Sequence, residues 1–430
     1  MDRAEPSTTS HRLLRCTLGA LVFSLDELIV HLAQSIGRPI PKGQEKAGTP
    51  GQKGCDRALP GAASVLMGRA EAHELREDRN VASWARQVVS GQRPTTPNQK
   101  EVRPSGPRPD RARPHAGGAL TVHHLEPVPE AVTQFFSASA PAVVTVDPGD
   151  TLMVRTLDAH GYLERPESWD VDPPRMFTPS RGHCLAGPIE VRGAEPGQVL
   201  AVHIESMRPA TWGWTTAGVA DEDLSQALGV AAGPVEFLSW DLDPVSLTGR
   251  ANGFTVPLTP FLGVIGMPPA EPGEHSTTPP RTLGGGNLDC RELVAGSTLY
   301  LPVTVPGAAL CLGDGHAAQG DGEVSGTAIE CGMTSTVILS LADDPPLSTI
   351  HAVTPAGRVT FGFSAELNEA MTAALSAMVT WMTTIYGTNR ARALALASVS
   401  VSLRITQVAN KTWGVHALLP SQALRRAETT

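Results

Sequence analysis

Residues 142–157 read AVVTVDPGDTLMVRTL. Two short β-branched, apolar runs flank Asp147-Pro148-Gly149-Asp150, a composition that marks a turn. The pattern predicts two strands paired across that turn. The same device recurs at Ile189–Val191 and Val199–Ile204, around Ala194-Glu195-Pro196-Gly197. It recurs again at Leu299–Val305 and Ala308–Leu312, around Pro306-Gly307. Thr334–Leu341 (TSTVILSL) reads as a further strand. Short strands punctuated this way predict a sandwich or barrel.

The texture changes after this β body. From Ala365 to Tyr386, apolar residues fall at Leu367, Met371, Ala374, Leu375, Met378, Met382 and Ile385. That 3.6-residue period predicts a helix with one buried face, stopped by Gly387. A second helix is predicted over Asn389–Ala397, feeding a strand at Val399–Gln407. The fold class is therefore α+β, mainly β: a β-rich region over 119–345, then an α/β part over 346–430.

The net charge of −9 averages two unlike parts. Residues 1–118 hold 18 Lys+Arg against 12 Asp+Glu, whereas residues 119–430 hold 16 against 31. The acidic part argues against a nucleic-acid or anionic-membrane partner. In the basic part, positions 11–35 and 62–90 are compatible with helices. Arg93–Gly118, however, carries Pro every few residues, which blocks helix and central strand alike. Residues 1–118 are read as a disordered, dispensable extension, for which a mis-assigned start would account. No run approaches 18 apolar residues, so no membrane helix is expected. The apolar run Leu18–Leu25 leads straight into Asp26 and Glu27 without a cleavage pattern, so a secretory signal is not expected. None of the six Cys forms a CxxC pair, and reduced thiols in a cytoplasmic protein are the expectation.

The densest polar block is Gly313–Glu330, GDGHAAQGDGEVSGTAIE. Asp314 and His316 are two apart, as are Asp321 and Glu323, so on extended backbone each pair shares a face. Glu330 follows on a predicted strand. Carboxylates plus one imidazole suit a divalent cation. Two Asx-type turns explain the same spacing without one. Gly284–Asp289 (GGGNLD) fits either a backbone approaching a ligand or a bare glycine turn. Asp158, His160, His183 and His275 are further candidates, although a lone His is more often structural.

The chain lacks GxSxG and the phosphate-binding GxxxxGK[ST]. Two linear-amide mechanisms place a Lys beside a Cys or Ser nucleophile. Here Lys411, in a predicted surface turn, is the one Lys after residue 118. Both mechanisms are thereby disfavoured, despite Cys331 standing next to Glu330.

Several longer stretches resemble the acetamidase/formamidase family: PFLGVIGMPPA (260–270), HSTTPPRTLGGGNLD (275–289), ELVAGSTLYLPVTVPGA (292–308) and the 313–330 block. GPIEVRGAEPGQVLAV (187–202) and RITQVANKTWGVHALLP (404–420) extend the resemblance from about His123 to Pro420. It implies a β-rich, homo-oligomeric, metal-dependent hydrolase of short amides such as formamide or acetamide, with zinc the expected ion. By matching motifs it implies Asp314, His316 and Glu330 around the metal, with Asp158 as a further ligand. It further implies Asn287 and Asp289 lining the site, Glu323 as general base, and Gly284–Gly286 amides at an oxyanion. Two departures stand out: DAHGYLERP from Asp158, where relatives are Gly-rich, and Ser402 where relatives carry an acid. They leave open a weakly catalytic binding protein on the same fold, or a hydrolase of another C–N bond.

Overall fold

The computed structural model describes residues 120–220 and 222–425. The expected extension, residues 1–118, lies outside them. In chain order the first strands are β1 (Val122–Leu125), β2 (Val132–Thr133), β3 (Val144–Val146), β4 (Thr151–Thr156), β5 (Leu185–Val191), β6 (Val199–Pro209) and β7 (Trp212–Ala217). A short helix α1 (Asp223–Ala227) precedes β8 (Glu236–Asp243), β9 (Thr248–Ala251), β10 (Phe254–Pro257), β11 (Phe261–Gly266) and β12 (Gly285–Asn287). Then come β13 (Thr298–Pro302), β14 (Leu310–His316), β15 (Glu330–Cys331), β16 (Met333–Leu341), β17 (His351–Val353) and β18 (Gly357–Ser364). Helices α2 (Leu367–Tyr386) and α3 (Arg390–Ser400) lead to β19 (Ser402–Gln407) and β20 (Trp413–Pro420).

The strands form two open sheets. One has nine strands in the order β1-β4-β16-β6-β13-β17-β18-β20-β19. The other has eleven: β10-β9-β8-β7-β15-β14-β11-β12, with β5 on β14 and both β2 and β3 on β5. Apolar residues of both sheets, among them Val154, Val202, Ile204, Ile265, Leu312 and Val337, merge into one buried cluster. The α+β, mainly-β reading therefore holds.

The strand pairings do not follow the predicted hairpins. β3 pairs in parallel with β5 in one sheet, while β4 pairs with β1 and β16 in the other. β5 and β6 likewise part company, as do β13 and β14. Each Pro-Gly turn is a corner between sheets. Pro fixes φ near −65°, and the following Gly149 and Gly197 have φ of 100° and 96°. That is a type II arrangement, whose twist splays flanking strands instead of pairing them. At the first corner the Asp150 carboxylate accepts from the backbone N–H of Thr121 and Asp147, at 2.9 and 3.0 Å, and meets His123 Nε2 at 2.8 Å.

α2 ends as expected at Gly387, whose φ of 56° is left-handed. Its buried face is Ala370, Ala374, Met378, Val379, Trp381 and Met382, while Met371 is exposed. The helix lies on β18, where Thr360 Oγ1 donates to Ala374 O at 2.8 Å. α3 is capped by Asn389, whose side chain accepts from Arg392 N, and the helix continues past the predicted Ala397 to Ser400. Among the described residues, no helix is long and apolar enough to cross a membrane.

Candidate functional site

Strand β14 carries Asp314 and His316 through the middle of the larger sheet. Leu310, Leu312 and Gly313 of β14 pair with β5, whereas Gly315 and His316 pair with β15. Asp314 sits at the junction, with φ of 59°. Across it, Gly263 of β11 leaves the room: a Cβ there would lie 2.7 Å from Asp289 Oδ1, 2.9 Å from His316 Cε1 and against Asp314 Oδ2. β15 adds Glu330, opposite His316 in register. The loop after β14 adds Glu323 and is tied to β19 by Gly322 N–H donating to Thr406 O at 3.2 Å.

These groups converge on one imidazole nitrogen. His316 Nε2 lies 3.4 Å from Asp314 Oδ1, 3.3 Å from Glu330 Oε1 and 3.9 Å from Glu323 Oε1. All four side chains are buried. Asp289, His316 and Glu323 form one triad able to hold a metal ion, and Asp314, His316 and Glu330 another. Asp289 and Glu323 also adopt left-handed backbone, with φ of 48° and 45°. Such positions are strained for residues other than Gly and cluster at functional sites.

Gln319 orients this imidazole. Its Nε2 donates to Asp289 O at 2.8 Å and faces Thr406 O at 3.4 Å. Carbonyls only accept, so that end of the amide is the NH2 group. Gln319 Oε1 is then the atom 2.8 Å from His316 Nδ1, which must carry the proton it donates. His316 Nε2 is thus turned to the carboxylates.

Burial raises Glu330, Glu323 and Asp289 above the usual carboxylate range, and mutual repulsion adds to it. Burial also opposes ionisation of Asp314, but His316 and His183 outweigh it and hold Asp314 low. Burial likewise opposes a charged His316, yet Glu330 and Asp314 outweigh it and attract positive charge to Nε2. Oε2 of Glu323 and of Glu330, and both Asp289 oxygens, are buried without a hydrogen-bond partner. Orphaned carboxylate oxygens gathered around one imidazole nitrogen fit a divalent cation.

The site opens on a cavity of about 220 Å³. Asn287, Asp314, Glu323 and Glu330 line it, together with His160, His183 and Trp214. Asn287 Oδ1 is buried without a partner. Burial, then the charges of Arg175 and His183, push His160 down to about 4.

The remaining candidates fall elsewhere. Asp158 is outside both triads; its Oδ1 accepts from Tyr162 N and its Oδ2 from Trp214 Nε1, each at 3.2 Å. Burial pushes it up to about 7. Asp321 does not share a face with Glu323 but pairs with Arg404 at 2.6 Å. Gly285 and Gly286 pair with β11, and Gly284–Gly286 do not line the cavity. His275 Nε2 meets Glu271 O at 2.9 Å, away from the cavity lining. Cys331 is buried, and burial with Glu330 beside it pushes the thiol up, opposing a nucleophilic role. Sequence reasoning passed over Gln319, Trp214 and Gly263.

Comparison with known proteins bears on this arrangement. The acetamidase from Bacillus halodurans superposes with a TM-score of 0.61 at 25% identity, over 69% of this chain and 97% of that one. The acetamidase from Yersinia enterocolitica gives 0.62 at 28% identity, over 72% and 95%. A putative formamidase from Schizosaccharomyces pombe is 27% identical, and the match covers 43% of this chain and 57% of that protein. An acetamidase from Mycolicibacterium smegmatis is 26% identical, over 43% and 59%. The chain thus spans less than two thirds of these two sequence relatives. The profile of the Acetamidase/Formamidase family matches residues 130–275 and 270–422, which include every residue of the two triads. The chain belongs to the acetamidase/formamidase family.

Proposed function

We propose that this protein hydrolyses short linear amides, such as formamide or acetamide, to the carboxylate and ammonia. The observation that carries the reading is His316, buried with its Nδ1 proton fixed by Gln319 and its Nε2 facing Asp314 and Glu330 beside a small cavity. The family and its relatives named acetamidase or formamidase support the same chemistry.

Asp314, His316 and Glu330 would hold a divalent cation, with zinc the ion we favour from the mixed imidazole and carboxylate donors. When bound, the ion supplies Lewis acidity, polarising an amide oxygen and acidifying water. Glu323 Oε2 is free to accept a proton from the attacking water as its oxygen bonds to the amide carbon. As the C–N bond breaks, Glu323 returns that proton to the nitrogen, which leaves as ammonia. Burial, with Asp289 beside it, disfavours the charged form of Glu323 and so makes its carboxylate a stronger proton acceptor. Asp158 acts through Trp214 and is a positioning residue.

Ammonia release from formamide, acetamide and longer amides tests this, with and without chelation and zinc re-addition. Glu323→Gln is expected to lower kcat by about 100-fold or more with the fold unchanged by circular dichroism. No turnover on any amide by zinc-loaded protein would sink the reading and favour a binding role. Full activity after complete metal removal would sink the metal alone.

A further inference from the structure

A further group of metal-type donors lies outside the cavity lining. Cys290 and Glu292 follow Asp289 in the loop after β12, and His416 lies on β20. One donor atom from each falls within 4.8 Å of the other two, and all three residues are buried. None of them lines the cavity or takes part in the chemistry above.

An ion-pair network accounts for part of this cluster. Arg404, opposite His416 in register, pairs with Glu292 Oε1 and, at 2.6 Å, with Asp321. The network leaves Glu292 Oε2, which lies 3.5 Å from Cys290 Sγ and 3.2 Å from His416 Nε2. The second distance suits a hydrogen bond but the alignment does not, and Nε2 is buried without a hydrogen-bond partner. A hydrogen bond prefers its acceptor close to the N–H axis. Two atoms sharing a cation instead subtend an angle at it, which sets each off the other's axis.

The spacing and the donor types point to one ion. Zinc bonds of about 2.3 Å to sulfur and about 2.1 Å to nitrogen and oxygen, at tetrahedral angles, separate S from O by about 3.6 Å and N from O by about 3.4 Å. The observed 3.5 and 3.2 Å are close to both. A thiolate with an imidazole suits zinc and not a hard cation such as magnesium or calcium. His416 Nδ1 lies 2.9 Å from Thr406 Oγ1, which can take the ring proton and leave Nε2 bare. Within the cluster, zinc and Arg404 together balance a Cys290 thiolate and the carboxylates of Glu292 and Asp321.

We propose that Cys290, Glu292 and His416 bind a zinc ion of their own, separate from the ion assigned to Asp314, His316 and Glu330. Cys290 gives up its thiol proton to solvent as the ion binds. The ion is taken up as the loop folds onto β20, so burial of the donors is no obstacle. It pins the residues next to Asp289 to that strand and has a structural role. The proposal stands without the amide-hydrolase reading.

The test uses the full chain, produced with cobalt in place of zinc and purified under reducing conditions. Sulfur is present in this site and absent from the other, so thiolate-to-cobalt charge-transfer absorption in the near ultraviolet reports this site. Wild type should show that band. Cys290→Ala and Cys290→Ser should lose it and carry one ion fewer per chain by elemental analysis, whereas Glu330→Gln should keep it. Cys290→Ser carries the comparison if the Ala variant does not fold. X-ray absorption of the zinc-loaded wild type should show a sulfur neighbour at about 2.3 Å, and needs no variant. A wild type with no band and no sulfur neighbour would overturn the proposal. So would a band, or a metal content, that both Cys290 substitutions leave unchanged.

Discussion

Gln319 shows how far one uncharged side chain reaches. It touches His316, Asp289 and the Thr406 backbone together, so its loss frees a ring, a loop and a strand end. Groups that orient metal ligands are typically worth about 10–100-fold in affinity or activity. Gln319→Ala should weaken zinc binding by about that factor, measured by competition with a chelating dye; unchanged affinity would remove it from the site. Gly263→Ala should be worse, since its Cβ meets Asp314, Asp289 and His316 together. We expect amidase activity to be lost and a stability cost of about 1–3 kcal/mol, read by denaturant titration. At this scale the sequence is partly legible. Asp314, His316 and Glu330 stand out by residue type and spacing. Spacing also pairs Glu323 with Asp321, but left-handed backbone at Glu323 breaks the alternation that pairing assumes. Gly263 is invisible because its service is to leave space.

Helix α2 illustrates the element scale. Its period is readable, but large side chains draw the buried face through Met371, whereas the structure buries Ala370. The reason is close approach: α2 rests on Gly362 of β18, where a Cβ would lie 2.6 Å from Ala374 N. Small residues, not large ones, mark that contact. Gly362→Ala should therefore cost about 1–3 kcal/mol by overpacking, and an unchanged midpoint in urea would refute the close seating. Nearby, His351 stacks on Tyr300 with ring centroids 4.7 Å apart, and burial holds its pKa down at about 4. Its unfolded value is near 6.5, so between these pH values the unfolded chain binds the extra proton. Stability is fully present above about pH 6.5 and falls towards pH 4, by about 3 kcal/mol from this group. His351→Phe should flatten that acid limb in denaturant titrations at stepped pH.

At the scale of the whole molecule, strand existence is legible and strand partnership is not. The turns at 147–150, 194–197 and 306–307 can be found by composition, but a turn sequence alone does not say whether the chain folds back or crosses the core. Residues 1–118 remain a proposal of the same kind: we expect a chain starting at 119 to keep the melting temperature and amide turnover. Solved relatives that align over 95% and 97% of their length with 72% and 69% of this chain support it. A lower melting temperature would refute dispensability. The corners have a kinetic consequence. Because sequence neighbours part at each one, lasting pairs join distant segments, as when Thr156 meets Met333. Closing such loops must precede any reward from the contacts they make. The rate of refolding is therefore expected to be slow, in milliseconds to seconds.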